Sequence, residues 1–206
     1  MGWAAHNRGY AAKSSSEGQT MVLINANRIV ERTRGASPLT FRCKIFHVRE
    51  CNMGIRLAML EDVPAIIELG RIYHEESRFK RYGFDPHKVA ANLNGLIEDR
   101  SGARCFFVAD DANKRPYAGL IGCIESYFFS NEPVAQTIIF WVHPEHRGGP
   151  AALKLVTAFK KWAENRNAFE LAIGVTSAVH IDTADKFFKK LGFQLTGGNY
   201  SLALGG

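Results

Sequence analysis

The stretch Ile138 to Leu155, which reads IIFWVHPEHRGGPAALKL, decides the fold. Its apolar first part, Ile138 to Val142, predicts a strand that stops at a His-Pro-Glu turn. A short loop, Arg147-Gly148-Gly149, then leads to a helix that Pro150 begins, because proline suits the first helical position. Apolar residues continue at helical spacing, at positions 152, 155, 156, 159 and 162. A strand, a glycine loop and a helix N-terminus in this order predict an anion site, since backbone N–H groups and the helix dipole converge there.

The net charge of +6 is concentrated in the N-terminal quarter of the chain. Residues 1–52 hold eight Lys/Arg and three Asp/Glu, whereas residues 53–206 hold eighteen and seventeen. The larger part therefore gives no general electrostatic reason to expect nucleic-acid binding. Binding of nucleic acid through the basic segment 1–52 remains a separate alternative.

The four cysteines show no spacing typical of a metal site, so no metal is expected. Cys105 and Cys123 lie in apolar runs, where a small buried thiol is the usual role. Free thiols are typical of a reducing compartment, and we expect a cytoplasmic protein. The sequence has no run of the roughly 18 apolar residues that a membrane span needs, so no membrane association is expected.

Residues 1–52 show no clear periodicity, and we expect a disordered or weakly structured basic extension there. Met53 is followed at once by a strand-like run, which suggests that the natural chain could start near it. A mitochondrial transit peptide is the alternative, but Glu17, Glu31 and Glu50 count against it, since such peptides are poor in acids. We place the folded domain at residues 53–206.

From Met53 onward, strand and helix patterns alternate. The predicted strands are 55–59, 104–109, 117–129, 134–142 and 171–175. The predicted helices are 63–73, 89–97, 150–164 and 183–191, and a hairpin or terminal strand pair is predicted within 193–204. The order β-α-α-β-β-β-α-β-α-β predicts an α/β fold with a mixed sheet covered by helices on both faces.

Three segments together resemble the GNAT acyltransferase superfamily, and the resemblance covers about residues 54–204. The pattern Val142-x-Pro144-x-x-Arg147-Gly148-Gly149 resembles the acyl-CoA loop of that family. Arg56 to Ile67 resembles its opening strand and helix, and Phe187 to Phe193 resembles its closing helix with the Leu-Gly-Phe that follows. The chain is also similar to small GNAT-like proteins of phages and bacteria. The resemblance implies the GNAT fold, in which helices flank a mixed, mostly antiparallel sheet.

The resemblance also implies a binding site for acetyl-CoA as cosubstrate. The backbone amides expected to bind its pyrophosphate are those of Gly148, Gly149, Ala151 and Ala152. Arg147 would add positive charge beside them. In the family, the fourth and fifth strands separate and the pantetheine arm adds to the exposed strand edge. Its expected backbone partners are Phe140, Trp141 and Val142.

Three positions depart from the family pattern. Pro150 stands where the family has a central glycine, and it lacks the N–H that could bind phosphate. Phe188 stands where a tyrosine often protonates the leaving thiolate, and His180 stands where an asparagine often begins the closing helix. The usual acid is therefore missing from its usual position, whereas the cofactor loop is largely retained.

Few residues are candidates for the chemistry. Glu125 is the carboxylate in the long apolar strand, where burial would raise its pKa toward that of a general base. His180 could relay a proton or bind the pantetheine arm. Tyr127 and Tyr200 are possible replacement acids, and the acidic segment 74–76 could attract a cationic amine. Each of these residues also has an ordinary structural explanation, as a strand end, a helix start, aromatic packing or a solvated helix end.

The expected function is transfer of an acetyl group from acetyl-CoA to a primary amine by direct attack in a ternary complex. The acceptor could be a small molecule or a protein, and a homodimer is left open. The alternative is a catalytically weakened acyl-CoA-binding or protein-interaction module with the same fold.

Overall fold

The computed structural model describes residues 54–204, so the expectations for residues 1–53 lie outside the described residues. The strands are β1 Ile55–Leu57, β2 Arg104–Asp110, β3 Pro116–Glu125, β4 Val134–Val142 and β5 Glu170–Ala172. The α-helices are α1 Val63–Glu76, α2 Pro86–Ile97, α3 Ala151–Glu164 and α4 Ile181–Lys190. Short 3-10 turns cover Leu60–Asp62, Arg78–Arg81 and Pro144–His146.

The five strands form one sheet in the order β1-β2-β3-β4-β5. The first four strands pair antiparallel, and β5 joins β4 in parallel. Parallel neighbours need a crossover, which α3 supplies. The predicted fold class is therefore confirmed as a mixed, mostly antiparallel sheet flanked by helices.

Alternation along the central strands divides the core into two layers. Leu120 packs in a cluster with Leu155 and Phe159 of α3, whereas Ile121 packs with residues of α1 and α2. Successive strand residues point to opposite faces, so a continuous apolar run is what a sheet covered on both faces requires.

Two glycines in β3 let large rings lie directly on the sheet. A Cβ atom at Gly119 would come within 2.4 Å of the Trp141 ring, and one at Gly122 within 2.3 Å of the Phe159 ring. Neither ring could keep its place above a larger residue. These glycines position β4 and α3, the two elements on either side of the predicted cofactor loop.

An ionic cluster fixes the start of α1 against the sheet. The guanidinium of Arg56 donates to Asp62 at 2.7 and 2.8 Å and to Asp110 at 2.6 and 3.0 Å. Asp62 also accepts from the Met59 N–H at 2.8 Å. The hydrogen bond from Arg56 holds the pKa of Asp62 below its usual value. Because both carboxylates are buried and satisfied, α1 has a defined direction across the sheet.

Two expectations about the strands were wrong. The strand predicted as 117–129 ends at Glu125, which pairs with Val134, because the turn before β4 leaves no partner for the residues beyond it. The strand pair expected within 193–204 is also not formed. Those residues are neither helix nor strand, and several apolar side chains among them, such as Leu195 and Leu204, are exposed.

Cys105 and Cys123 are free and buried, as expected. Burial raises the pKa of the Cys105 thiol to about 12, so it stays protonated and unreactive at neutral pH. None of the helices within residues 54–204 is long and apolar enough to cross a membrane.

Candidate functional site

The strands β4 and β5 separate after a short common ladder. They pair only from Val134 to Gln136, opposite Glu170 to Ala172. The Gly174 N–H still reaches the Thr137 hydroxyl at 3.2 Å. Beyond that point the edge of β4 faces a gap, which we call the β4–β5 gap.

The register of β4 determines which backbone groups face this gap. The His143 N–H donates to the Tyr117 carbonyl at 2.9 Å, so alternate residues before it, including Trp141, also direct their backbone groups to β3. Phe140 and Val142 therefore direct theirs to the β4–β5 gap. This corrects the expectation that the Trp141 backbone is a partner for pantetheine, because β3 already uses it.

A β-bulge lies at the start of the open edge. The register shifts between Ile121 and Gly122, so that Ile139 and Thr137 have partners in β3 while Ile138 has none. An extra residue bends a strand and increases its local twist. The bulge thus accounts for the separation of β4 from β5 at this level.

The glycine loop joins the end of β4 to α3. Gly148 adopts φ of 79°, a left-handed conformation that favours glycine. A Cβ atom at Gly148 would meet nothing within 4 Å, so the space in front of the loop is open. The Gly149 N–H makes a long turn bond of 3.4 Å to the His146 carbonyl.

The first turn of α3 presents uncommitted donors beside this loop. The backbone bonds of the helix begin with the Lys154 N–H, which donates to the Pro150 carbonyl at 3.0 Å. The N–H groups of Ala151, Ala152 and Leu153 precede that bond, so none has a partner within the helix. Together with the helix dipole, these groups form a site suited to an anion.

Pro150 is the N-cap of α3, so the helix begins one residue later than predicted; its φ is −76° and its ψ is −8°. Its ring already holds the helical φ, and an N-cap N–H is not needed by the helix itself. The substitution removes one possible phosphate donor and makes the start of the helix more rigid.

Arg147 makes two contacts that sequence reasoning did not foresee. Its Nε donates to the Val142 carbonyl at 3.2 Å, which agrees with that carbonyl facing the gap. Its guanidinium also forms an ion pair with Glu76 at the end of α1. The positive charge expected for the pyrophosphate is therefore held by a carboxylate in this structure.

The C-terminal end of α1 spans the mouth of the β4–β5 gap. On one side, Glu76 contacts Arg147, which follows β4. On the other side, the Arg78 N–H donates to the Ser177 carbonyl at 2.9 Å, and Arg78 Nε donates to the Thr176 carbonyl at 2.6 Å. Both of these carbonyls follow β5. The helix end thus connects the two separating strands at their C-terminal ends.

Tyr73 lies near the C-terminal end of α1, and the sequence predicted no role for it beyond its place in that helix. Burial raises the pKa of its hydroxyl, opposed by a hydrogen bond with Ser177. The hydroxyl is therefore protonated at neutral pH. A tyrosine three residues before a helix-terminal carboxylate was the signal that could have identified it.

Phe188 lies where the missing tyrosine was expected, over the open edge of β4. Its ring centroid is 6.3 Å from that of Phe140 and 5.6 Å from that of Phe193. The closing helix therefore contributes an apolar wall to the gap rather than a proton donor.

Glu125 does not have the environment expected for a general base. The buried part of β3 ends at Cys123, and Glu125 is exposed at the strand end. It pairs with Val134, about 27 Å along β4 from Val142 at the usual rise per residue. The expectation of an apolar setting was wrong because the strand stops at this residue.

Tyr127 lies at the far end of β4 from the open edge, and Tyr200 makes no contact with the described residues that would place it in the gap. The Tyr127 hydroxyl faces the carboxylate of Glu170, at 3.3 Å, beside the first residues of β4. Tyr200 is fully exposed.

His180 is the N-cap of α4 and adopts a left-handed conformation with φ of 47°. Its side chain is exposed and makes no capping hydrogen bond. It follows Ser177 by three residues, so the chain brings it to the β5 side of the bridge made by α1.

Two side chains in the α1 layer leave buried nitrogen atoms without a hydrogen-bond partner among the described residues. They are Trp141, through Nε1, and His74, through both ring nitrogens. Buried polar atoms are nearly always paired, so these atoms mark places where a polar partner would be stabilised. Within residues 54–204, no group of three or more His, Cys, Asp or Glu side chains is arranged to hold a metal ion.

Comparison with known proteins identifies the family. The model of the Acetyltransferase (GNAT) family matches residues 69–193, more than half of the chain. A curated relative, an amino-acid acetyltransferase of Pasteurella multocida strain Pm70, is 26% identical over 141 residues, which are 68% of this chain. The match spans 27% of that relative's length.

Solved structures share the fold. A transcriptional regulator from Bacillus halodurans C-125 matches with a TM-score of 0.62 and 16% identity, over 74% of this chain and 99% of its own. AAC(6')-Iy in complex with the bisubstrate analogue CoA-S-monomethyl-acetylneamine matches with a TM-score of 0.58 and 17% identity, over 73% and 97%. The family match, which covers the separated strand pair and the glycine loop, shows that the chain belongs to the GNAT acetyltransferase family.

Proposed function

We propose that this protein transfers an acetyl group from acetyl-CoA to a primary amine while both substrates are bound. The main support for the proposal is that two surfaces suited to parts of acetyl-CoA adjoin each other. The open edge of β4 leads directly into the glycine loop and the uncommitted N–H groups of α3. A pyrophosphate joined to a strand-like amide arm matches this combination of surfaces.

The residues fit an acyl-CoA in two parts. Gly148, Gly149, Ala151 and Ala152 supply the backbone N–H groups for the pyrophosphate, and the open space in front of Gly148 lets phosphate approach the backbone. The backbone groups of Phe140 and Val142 supply hydrogen bonds for the pantetheine amides, as an added strand would use them. AAC(6')-Iy, which shares the fold, was solved with a CoA-containing bisubstrate analogue.

The reaction needs few groups from the protein. The amine nitrogen attacks the thioester carbon, the C–S bond breaks, and the electron pair leaves with the CoA sulfur. The proton lost by the nitrogen goes to a base or to water. A backbone N–H that faces the gap would polarise the thioester carbonyl, a contribution of about 2.7–4 kcal/mol in comparable sites.

The acid and the base remain proposals. Tyr73 and His180 are better placed than Glu125, because Tyr73 hydrogen bonds with Ser177 beside the gap, His180 follows Ser177 by three residues, and Glu125 lies at the other end of β4. Tyr73 keeps its proton at neutral pH and so can donate it to the CoA thiolate. The thiolate is a tolerable leaving group, which limits how much the absence of a tyrosine at Phe188 would slow the reaction.

Calorimetry with acetyl-CoA followed by measurement of thiol release tests the proposal. We expect binding in the micromolar range and thiol release that depends on an amine, from a panel of monoamines, diamines, aminosugars and lysine peptides. Absence of binding at millimolar acetyl-CoA would overturn the proposed donor. Binding without thiol release from any amine would leave an acyl-CoA-binding module and overturn the transfer reaction.

A further inference from the structure

We propose that Glu76 binds a cationic acceptor and does so more readily once acetyl-CoA has displaced Arg147 from it. The inference rests on the proposed acetyl-CoA site and adds a substrate class and an order of binding. One ion pair, between Arg147 and Glu76, joins the proposed cofactor loop to the end of α1.

Both contacts that hold Arg147 lie in the path of the acyl donor. The Val142 carbonyl, which accepts from Arg147 Nε at 3.2 Å, is one of the backbone groups that face the β4–β5 gap. A pantetheine amide that adds to this edge competes for the same carbonyl. Gly148 is next to Arg147 in the chain, so a pyrophosphate at the loop would bring more negative charge to the guanidinium than the carboxylate of Glu76 does.

The position of Glu76 favours a neighbouring cation. Glu76 is the last residue of α1, where the helix dipole is negative and a carboxylate is unfavourable. Its side chain is 25% exposed, so water only partly offsets this repulsion. In the structure Arg147 supplies the compensating charge.

Arg78, the cation nearest to Glu76 in sequence, is already engaged elsewhere. Arg78 is two residues away, but its guanidinium donates to the Thr176 carbonyl and to the Ser201 hydroxyl at 3.2 Å. The central carbon of the Arg78 guanidinium also lies 4.7 Å from the centre of the Phe79 ring. When Arg147 moves to the pyrophosphate, Glu76 is left beside the Tyr73 hydroxyl with an uncompensated charge. An ammonium group of the acceptor would fill that position.

This exchange couples the two substrates. Acetyl-CoA would increase the affinity for a cationic acceptor, and the acceptor would increase the affinity for acetyl-CoA by the same factor. The acceptor without the donor would have to displace Arg147 by itself. Donor binding before acceptor binding is the expected order.

The test measures binding of 1,4-diaminobutane, with 1,4-butanediol as its uncharged counterpart, by NMR titration. Free CoA serves as the donor analogue, so no turnover is needed. In the natural protein we expect saturating CoA to increase diamine affinity about fivefold, the size of effect that a partly exposed ion pair can supply, and butanediol not to bind. Equal diamine affinity with and without CoA would overturn the coupling.

Two variants and a matched control locate the effect. Glu76→Gln should abolish the CoA-dependent gain in diamine affinity, and Arg147→Gln should make diamine binding independent of CoA. Glu75→Gln changes the same charge on the adjacent residue, whose side chain is 71% exposed, and should behave like the natural protein. If Glu76→Gln and Glu75→Gln behave alike, the inference fails while the proposed function stands. If the natural protein does not bind CoA, the proposed function fails first.

Discussion

The two helices that begin beside the β4–β5 gap, α3 and α4, differ in how they are held. Six residues of α3 are buried, whereas α4 has none that is fully buried. The start of α3 uses glycine at its left-handed position, Gly148. The start of α4 places Ala178 and His180 in the left-handed region, at φ of 62° and 47°.

The two helices differ in how firmly they are held, and the proposed binding and catalytic groups lie on different helices. The core fixes α3, so the donors at its N-terminus are in place before any ligand arrives. Aromatic pairs such as Phe188 with Phe140 help to hold α4, and Ala178 and His180 just before it adopt conformations that cost about 1–2 kcal/mol each. The side of the gap that we propose binds the donor is therefore preorganised, whereas the side that carries His180 is held by fewer buried contacts.

The largest expected effect is on stability. Phe159→Ala should lower the free energy of unfolding by about 3–5 kcal/mol, because the ring is fully buried against Gly122. Phe188→Ala should cost less than half of that, since its ring is only partly buried. Urea unfolding followed by fluorescence measures both. Equal losses of unfolding free energy in the two variants would mean that α4 is held as firmly as α3, which would contradict the difference proposed between them.

The second effect is on cofactor binding. Gly149→Glu should weaken acetyl-CoA binding at least 100-fold, because a carboxylate would stand beside the pyrophosphate and its Cβ would lie 3.2 Å from the His146 carbonyl. Gly197→Glu adds the same charge where a Cβ meets nothing within 4 Å and serves as the matched control. Calorimetry on both variants decides. Retained binding in Gly149→Glu would show that the cofactor loop lies elsewhere.

The strand, loop and helix beside the gap could be predicted from the sequence because their signals are local. Strand, glycine loop and helix follow one another within Ile138 to Leu155, and β4 has the bounds predicted for it. The open edge was expected only from the resemblance. The register directs the backbone groups of Trp141 to β3. It depends on pairing with another strand, so no local sequence pattern predicts it.

The candidate catalytic side of the site could not be predicted from the sequence in the same way. The apolar sequence around Glu125 predicts a buried carboxylate. The strand ends at this residue, however, because β4 offers no partner beyond Val134. The pair of Arg147 and Glu76 joins residues 71 positions apart, and only the packing of α1 across the gap brings them together. Contacts of that kind follow from tertiary structure and leave no periodic signal.

The third effect is on turnover. Phe188→Tyr places a hydroxyl on the ring that faces Phe140 and should raise kcat for thiol release about tenfold. This is less than the 10²–10⁴ that a general acid can contribute, because the CoA thiolate leaves readily without one. The Kd for acetyl-CoA should not change. Phe187→Tyr, on the adjacent ring at 5.2 Å, is the control and should leave kcat unchanged. An equal response of both variants would show that the position of Phe188 has no special relation to the leaving sulfur.

The smallest effect concerns the start of α4. Ala178→Gly removes a side chain from the left-handed region and should stabilise this segment by about 0.5–1 kcal/mol, even after the added flexibility of glycine in the unfolded chain. Amide hydrogen exchange should slow within α4 and remain unchanged in α3. Ala184→Gly places the same residue inside the helix, where it should cost about 1 kcal/mol and speed exchange. If Ala178→Gly also speeds exchange, the left-handed conformation is imposed by its surroundings, and α4 is preorganised in the same way as α3.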